Sequence, residues 1–168
     1  MSNKAAANRG DWISQSAMIA QLGITDGIAA SWRRKNIGPH PCAKLSHHDQ
    51  YSYDPTPVAK LRPVLLAIGK FGLKLHGVVA PLREQGTERT TVQASETLIP
   101  EHEMIRLLGI SKRIAAGWRS VGIGPRRTRI CFRQPYQYQA SDVAELRKAL
   151  IALGRFGLAL PGLEPLKA

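Results

Sequence analysis

The chain has 168 residues, of which 43% are hydrophobic, and it carries a formal net charge of +12 with a pI near 10.3. This length allows one or two small domains, and its two cysteines are too few for a disulfide framework. Residues 1–12 lack the apolar run of a secretion signal, and no stretch approaches the length of a membrane span. We therefore expect a cytoplasmic protein.

An internal duplication organises the chain. The segment MIAQLGITDGIAASWRRKNIGP at 18–39 returns as MIRLLGISKRIAAGWRSVGIGP at 104–125, and VAKLRPVLLAIGKFGLKL at 58–75 returns as VAELRKALIALGRFGLAL at 143–160. A repeat of this length is too long for one solenoid turn and predicts two copies of a small domain. The predicted divisions are a tail at 1–12, copy 1 at 13–76, a linker at 77–98, copy 2 at 99–163 and a tail at 164–168.

The positive charge is concentrated in the two copies. Copy 1 has 8 Lys and Arg against 3 Asp and Glu, copy 2 has 11 against 4, and the tails and linker are balanced at 5 against 5. Charge placed on the folded units predicts a polyanionic partner. A generally basic surface without such a partner is the alternative.

In copy 1, Met18 and Leu22 predict a first helix that stops at Gly23. A second helix, capped by Thr25 and carrying Ile28 and Trp32 towards the core, is expected to end at Gly38-Pro39. Alternation then predicts a hairpin with strands at 43–46 and 50–53 and with His47, His48 and Asp49 near its tip. A third helix, capped within residues 54–56, has an apolar face formed by Val58, Leu61, Leu65 and Ile68.

Copy 2 repeats this order. Its first helix stops at Gly109, Ser111 caps the second helix, and a stripe of Ile114, Trp118 and Val121 is expected to be buried. That helix should end at Gly124-Pro125, and a hairpin turning at Gln134-Pro135 follows it. Ser141 is the expected cap of the third helix, whose apolar face is Val143, Leu146, Leu150 and Leu153. The third helices and the Phe-Gly-Leu tails at 71–75 and 156–160 could pack on each other within one chain, or between chains as a homodimer.

These motifs carry a family resemblance. The order of helix, LGIT or LGIS, helix ending in Trp-Arg-x-x-x-Ile-Gly-Pro, hairpin and capped helix resembles the MerR-like winged helix-turn-helix domains of phage excisionases and AlpA-type regulators, over about 60 residues of each copy. The resemblance implies a mainly α fold with small β-hairpin wings, used to bind DNA in transcription control or in directing site-specific recombination. Members of the family usually carry one such domain, whereas this chain has two in tandem.

The second helix of copy 2 offers the stronger candidate contacts to DNA. With Ile114 and Trp118 facing inwards, the outward positions begin with Lys112 and Arg113 in the first turn, where side chains reach base edges, and Arg119 is expected at a phosphate. A solvated basic face is the alternative. The full set for this copy is Lys112, Arg113, Ala116, Arg119 and Ser120 on the helix, and Arg126, Arg127, Arg129 and Arg133 on the hairpin.

Copy 1 differs at the same positions. Asp26 and Gly27 replace the first-turn cations, and a carboxylate there repels a phosphate backbone. We therefore expect copy 1 to bind less tightly or to read a different half-site. Its candidate residues are Thr25, Asp26, Gly27, Arg33, Arg34, Lys35 and, on the hairpin, Lys44.

The sequence predicts a sequence-specific binder of double-stranded DNA, acting as a transcriptional regulator on a bipartite site, with contact to RNA polymerase or a recombinase. The alternatives are an excisionase-like architectural factor of a mobile element, a small terminase-type packaging protein, and an adaptor that binds an acidic protein. No nucleophile with a paired base and no phosphate-binding loop occurs, and Cys42, His47 and His48 do not complete a tetrahedral metal set. We expect no enzymatic activity, cofactor or metal.

Overall fold

The computed structural model describes residues 12–45, 50–75, 97–128, 135–161 and 163. Both copies have the same order of elements: a short strand, two helices, a hairpin and a long helix. In copy 1 these are β1 (Ile13–Ser14), α1 (Gln15–Leu22), α2 (Asp26–Lys35), β2 (Pro41–Leu45), β3 (Gln50–Tyr53) and α3 (Pro55–Lys70). In copy 2 they are β4 (Leu98–Pro100), α4 (Glu101–Leu108), α5 (Lys112–Val121), β5 (Arg127–Thr128), β6 (Gln137–Gln139) and α6 (Ala140–Gly154).

Each hairpin belongs to a three-stranded antiparallel sheet, where the sequence predicted two strands. The orders are β1-β3-β2 and β4-β6-β5, with Ile13 opposite Tyr53 and Ile99 opposite Tyr138. Because Leu98 already pairs with Gln139, copy 2 begins within the predicted linker. Strand β2 starts at Pro41, earlier than predicted, and the predicted tip, His47 to Asp49, lies outside the described residues.

The first two helices of each copy are joined by a tight turn with the predicted caps. Helix α1 ends at Gly23 in the left-handed conformation (φ 63°), and Thr25 Oγ1 accepts a hydrogen bond from Ile28 N at 3.4 Å. In copy 2, Gly109 has φ 62° and Ser111 Oγ accepts from Ile114 N at 3.2 Å. A left-handed glycine followed by a hydroxyl cap is a local signal that sequence alone can specify.

The predicted ends of α2 and α5 at Gly38 and Gly124 are wrong. The helices stop earlier, with Asn36 (φ 55°) and Gly122 (φ 71°) as left-handed caps. Gly38 and Gly124 are instead required for packing against the tryptophans. A Cβ on Gly38 would lie 2.6 Å from Trp32 Cε3, and a Cβ on Gly124 would lie 2.9 Å from Trp118 Cε3. The glycine lets the backbone pass close over the indole ring.

The predicted apolar faces of α3 and α6 are buried in full, and Trp32 is buried while Trp118 is half-buried. Val121 is the exception, since 69% of it is exposed. Residues on a helix advance by about 100°, so Val121 lies about 90° from the centre of the buried side of α5, which Ala115 and Trp118 define. Val121 also ends the helix, beyond the core.

The two long helices start differently. Asp54 caps α3 by accepting a hydrogen bond from Thr56 N at 2.8 Å, and this bond holds the pKa of Asp54 below its usual value. The predicted cap of α6 at Ser141 is wrong, because α6 already begins at Ala140 and Gln139 precedes it without a side-chain cap bond. Asp142, in the first turn of α6, is buried and makes other contacts.

Helices α3 and α6 pack against each other, and the buried residues of both copies form one continuous core. Lys70 Nζ lies 3.3 Å from Glu145 Oε1 across this boundary. The third helices therefore pack within the chain, one of the two arrangements that the sequence left open. Across the described ranges, none of the helices combines the length and apolar character needed to cross a membrane.

Candidate nucleic-acid interface

The solvent-facing side of α5 is cationic at its start and flat beyond it. Lys112 and Arg113 are exposed in the first turn, and Ala116, Gly117 and Ser120 are exposed after them. A Cβ on Gly117 would meet nothing within 4 Å, and Ser120 Oγ folds back onto the carbonyl oxygen of Gly117 at 2.8 Å. The helix backbone on this side is therefore accessible to a large, grooved partner.

The charges at the start of α5 oppose the helix dipole. The N-terminus of a helix is partly positive, so a cation in the first turn is destabilising, by about 0.3–1 kcal/mol. Helix α2 has the favourable order, with Asp26 in its first turn and Arg34 and Lys35 in its last. A local arrangement that costs stability is expected at a functional position.

Arg119 does not lie on this exposed face, contrary to the sequence prediction. It sits on the buried side of α5, pairs with Glu101 of α4, and holds its guanidinium 5.2 Å from the ring centre of Tyr136. Only 25% of its side chain is exposed. Arg119 ties α5 to α4 and the hairpin, so it is poorly placed to contact a phosphate.

Arg33 makes the equivalent contacts in copy 1. Its Nη1 donates to Gln15 Oε1 at 2.8 Å and to the Tyr53 hydroxyl at 3.0 Å, and its guanidinium lies 4.1 Å from the ring centre of Tyr51. Arg33, a candidate contact to DNA, is therefore half-buried and engaged within copy 1, unlike the exposed Arg34 and Lys35. We call Arg33 and Arg119 the clamp arginines, because each fastens the second helix of its copy to the first helix and the hairpin.

The clamp arginine of copy 2 borders a buried tyrosine. Burial raises the pKa of Tyr138, and the charge of Arg119 opposes part of that increase. Tyr53 and Tyr138 are both buried, whereas Tyr51 and Tyr136 are half-buried beneath the clamp arginines. The tyrosines thus take part in packing.

The exposed face of α2 carries its cations in the last turn of the helix, whereas the exposed face of α5 carries them in the first turn. Asp26 Oδ1 accepts a hydrogen bond from Gln15 Nε2 at 2.9 Å, and Gly27 beside it is exposed. Thr25 is engaged as the cap, whereas Arg34 and Lys35 are exposed in the last turn. The two copies therefore present cations at different positions along equivalent helices.

Arg126, which is predicted to contact DNA, is exposed and forms an ion pair. Its Nε and Nη2 donate to Asp142 Oδ2 and Oδ1 at 2.9 and 3.0 Å, and its backbone N donates to Oδ2 at 2.9 Å. This two-pronged contact fastens the start of the hairpin to α6. The residues at the equivalent positions of copy 1 are His40 and Pro57, which cannot form it.

Only some of the remaining hairpin cations lie among the described residues. Arg127 is exposed, with Nη2 donating to the carbonyl oxygen of Arg119 at 3.0 Å. Lys44 is exposed on β2. Arg129 and Arg133 lie outside the described residues. The described part of the hairpin of copy 2 thus holds two exposed cations, the ion-paired Arg126 and Arg127, of which Arg127 contacts α5.

Sequence reasoning missed the partners of the clamp arginines. Gln15 and Glu101 occupy equivalent positions, as do Tyr51 and Tyr136. The signal was present, because a polar residue at the start of the first helix and a tyrosine on the hairpin recur at the repeat offset. Reading that pairing required knowing that the first helix and the hairpin meet beside the second helix.

No group of three or more metal-ligating side chains occurs among the residues that the structure describes. Cys42 is exposed, and His47, His48 and Cys131 lie outside those residues. Comparison of the chain with family models, with curated proteins and with solved structures gives no match.

Proposed function

We propose that the chain is a sequence-specific, double-stranded DNA-binding protein that acts as a transcriptional regulator through two winged helix-turn-helix units. The observation that carries this proposal is the exposed face of α5. Lys112 and Arg113 stand in its first turn, the small residues Ala116, Gly117 and Ser120 follow, and Arg127 lies exposed on the adjoining strand. A helix enters the major groove with its N-terminal residues towards base edges, and arginine is well matched to a guanine edge.

Two further observations support a nucleic-acid partner. The net charge of +12 resides in the copies rather than in the tails, and such charge attracts a polyanion. The cations of α5 also oppose its dipole, which disfavours a purely structural origin for them. Regulation is preferred to an architectural role because first-turn cations suit base reading, whereas architectural binding depends mainly on the phosphate backbone and on DNA deformability.

The experiment measures how affinity for duplex DNA depends on salt. For contacts to 6–10 phosphates we expect a log-log slope of about −5 to −9. Arg113→Gln should weaken binding to a selected site by about 1–3 kcal/mol and relax its sequence preference, whereas Lys112→Gln should reduce the slope by about 1 if it contacts a phosphate.

Lys148→Gln is the matched control, since Lys148 is an exposed cation on α6 and not part of the proposed face on α5. Its effect on affinity should be small. If all three variants behave alike, the charge acts as a diffuse surface and the α5 face is not the contact. An adaptor for an acidic protein would keep its partner in excess unrelated duplex, and that result would contradict the proposal.

A further inference from the structure

The two copies touch through a contact that occurs twice. Gly38 N donates to Phe156 O at 2.7 Å, and Gly124 N donates to Phe71 O at 2.8 Å. Positions 38 and 124 are equivalent in the repeat, and so are positions 71 and 156. Each copy therefore presents the turn after its second helix to the Phe-Gly-Leu turn of the other copy, and receives the same contact in return.

A second pair of contacts repeats this exchange. A Cβ on Gly72 would lie 3.0 Å from Ile123 Cγ2, and a Cβ on Gly157 would lie 3.0 Å from Ile37 Cγ2. Both glycines have positive φ, at 70° and 67°. The two copies approach closely at both places, and a side chain at either glycine would require the facing isoleucine to shift.

Contacts in which residue i of one unit meets residue j of the other, and j meets i, define an isologous interface with a two-fold axis. A head-to-tail arrangement would join two different surfaces instead. The axis here relates copy 1 to copy 2 within one chain, and α3 packs on α6 across it. The relative position of α2 and α5 is thus set by buried packing and not by the reach of the residues between the copies.

We infer that the chain is an intramolecular pseudo-dimer that reads two half-sites in inverted orientation, at one fixed separation, on a single DNA duplex; this inference rests on the proposed function. A protein with two-fold symmetry matches DNA half-sites that are themselves related by a two-fold axis, about one helical turn or 34–36 Å apart. Head-to-tail units would match a direct repeat.

The placement of α2 and α5 agrees with such a site. The turns that end both helices, at Ile37-Gly38 and Ile123-Gly124, lie at the interface, so the first turns lie at the far ends. A ten-residue helix is about 15 Å long, so each first turn lies about 15 Å along its helix from the turn that contacts the other copy. Because Asp26-Gly27 stands where copy 2 has Lys112-Arg113, the two half-sites should be unequal in sequence.

The test uses the full chain and a random pool of duplexes about 40 base pairs long, enough to hold two half-sites with flanks. Bound duplexes are selected, sequenced and footprinted, and the spacing of the two half-sites is then changed by about five base pairs, half a helical turn. We expect imperfect inverted repeats with one spacing, and at least about a tenfold loss of affinity when the spacing changes, because the second contact is lost.

Direct repeats, or equal affinity at every spacing, would overturn the inference while leaving the proposed function intact. A chain that selects no duplex would remove the proposed function and the DNA site with it. The packing itself is tested without DNA: a protease site is introduced between residues 77 and 96, and the cleaved chain is passed over a size-exclusion column. Co-elution of the two halves is expected, and their separation would contradict the fixed arrangement.

Discussion

Arg33 and Arg119 make equivalent contacts with different chemistry. In copy 1 the acceptor on the first helix is the neutral amide of Gln15, whereas in copy 2 it is the carboxylate of Glu101. A guanidinium held between a polar acceptor and a tyrosine ring stabilises the junction of three elements. A cation on a second helix therefore has one of two roles in this protein. A half-buried arginine joins neighbouring elements, whereas an exposed cation is accessible to a partner.

Replacing Arg119 should change the stability of the fold and leave the salt dependence of the proposed DNA binding unaltered. Arg119→Gln is expected to lower the free energy of unfolding by about 1–2 kcal/mol, because a half-buried ion pair is lost and Glu101 is left without its cation. Urea denaturation measures the first quantity, and anisotropy titrations at several salt concentrations measure the second. Glu101→Gln, which recreates the pair found in copy 1, is the milder control. A reduced salt slope in Arg119→Gln would show that Arg119 contacts phosphate.

The alkaline stability of the fold should depend on Tyr138. Burial raises its pKa in the folded protein above 10.0, the ordinary value. A raised folded pKa contributes stability that is complete below the unfolded pKa and is lost as the pH rises through the folded pKa. We expect Tyr138→Phe to flatten the decline in stability above about pH 10. Denaturation curves at several alkaline pH values test this, and an unchanged decline would contradict it.

The glycines near α5 provide a graded set of substitutions. Gly117→Ala, on the open helical face, should stabilise by about 0.5–1 kcal/mol. Gly122→Ala has free space but a φ of 71°, so it should cost about 1–2 kcal/mol. Gly124→Ala adds a collision with Trp118 to a positive φ and should cost about 2–4 kcal/mol. Chemical denaturation gives the order, and equal effects at positions 122 and 124 would mean that the indole ring moves aside.

At the scale of elements, the first turn of α5 carries cations that oppose the helix dipole, and the same cations begin the proposed DNA-contacting face. Lys112→Asp should stabilise the fold by about 0.3–1 kcal/mol, since an anion suits a helix N-terminus, and should weaken DNA binding by introducing repulsion. Thermal denaturation and anisotropy on the same samples measure both effects. The matched substitution in copy 1, Asp26→Lys, should act in the opposite direction on both. If stability and affinity rise or fall together in either variant, the first-turn charge does not affect folding and DNA binding in opposite directions, and the prediction is contradicted.

The elements that sequence predicted well are those with a local signal. The faces of α3 and α6 follow helical periodicity, and Thr25 and Ser111 cap helices through contacts three residues away. The missed features depend on distant partners. Strands β1 and β4 are too short to show alternation, and the ion pair of Arg126 depends on Asp142, which lies 16 residues later in the chain.

Ser141 and Val121 show a second kind of limit. Ser141 is a good cap residue by type, but the sheet ends at Gln139 and the chain enters α6 directly, which leaves the hydroxyl inside the helix. Val121 continues an apolar spacing of three and four residues, yet it falls at the edge of the buried face where the core ends. Residue type and spacing cannot decide such positions, because neighbouring elements determine where a helix starts and how far the core extends.

At the scale of the whole molecule, interface residues cannot be told from core residues by sequence. Phe71, Leu73, Leu158 and Leu160 are buried like any core residue, although the Phe-Gly-Leu turns contact the other copy. Duplication explains why one set of residues serves both purposes. Two units of about 65 residues each are marginal alone, and a shared core offsets part of that deficit.

The shared core predicts that the two copies unfold together. Leu61 on α3 is 0% exposed, so Leu61→Ala should cost about 2–5 kcal/mol. If packing of α3 on α6 couples the copies, this substitution in copy 1 will also lower the protection of backbone amides in α6, measured by hydrogen exchange. Leu146→Ala on α6 is the matched variant and should lower protection in α3. Loss of protection confined to the substituted copy, or two separate calorimetric transitions, would mean that the interface contributes little and that each copy folds by itself.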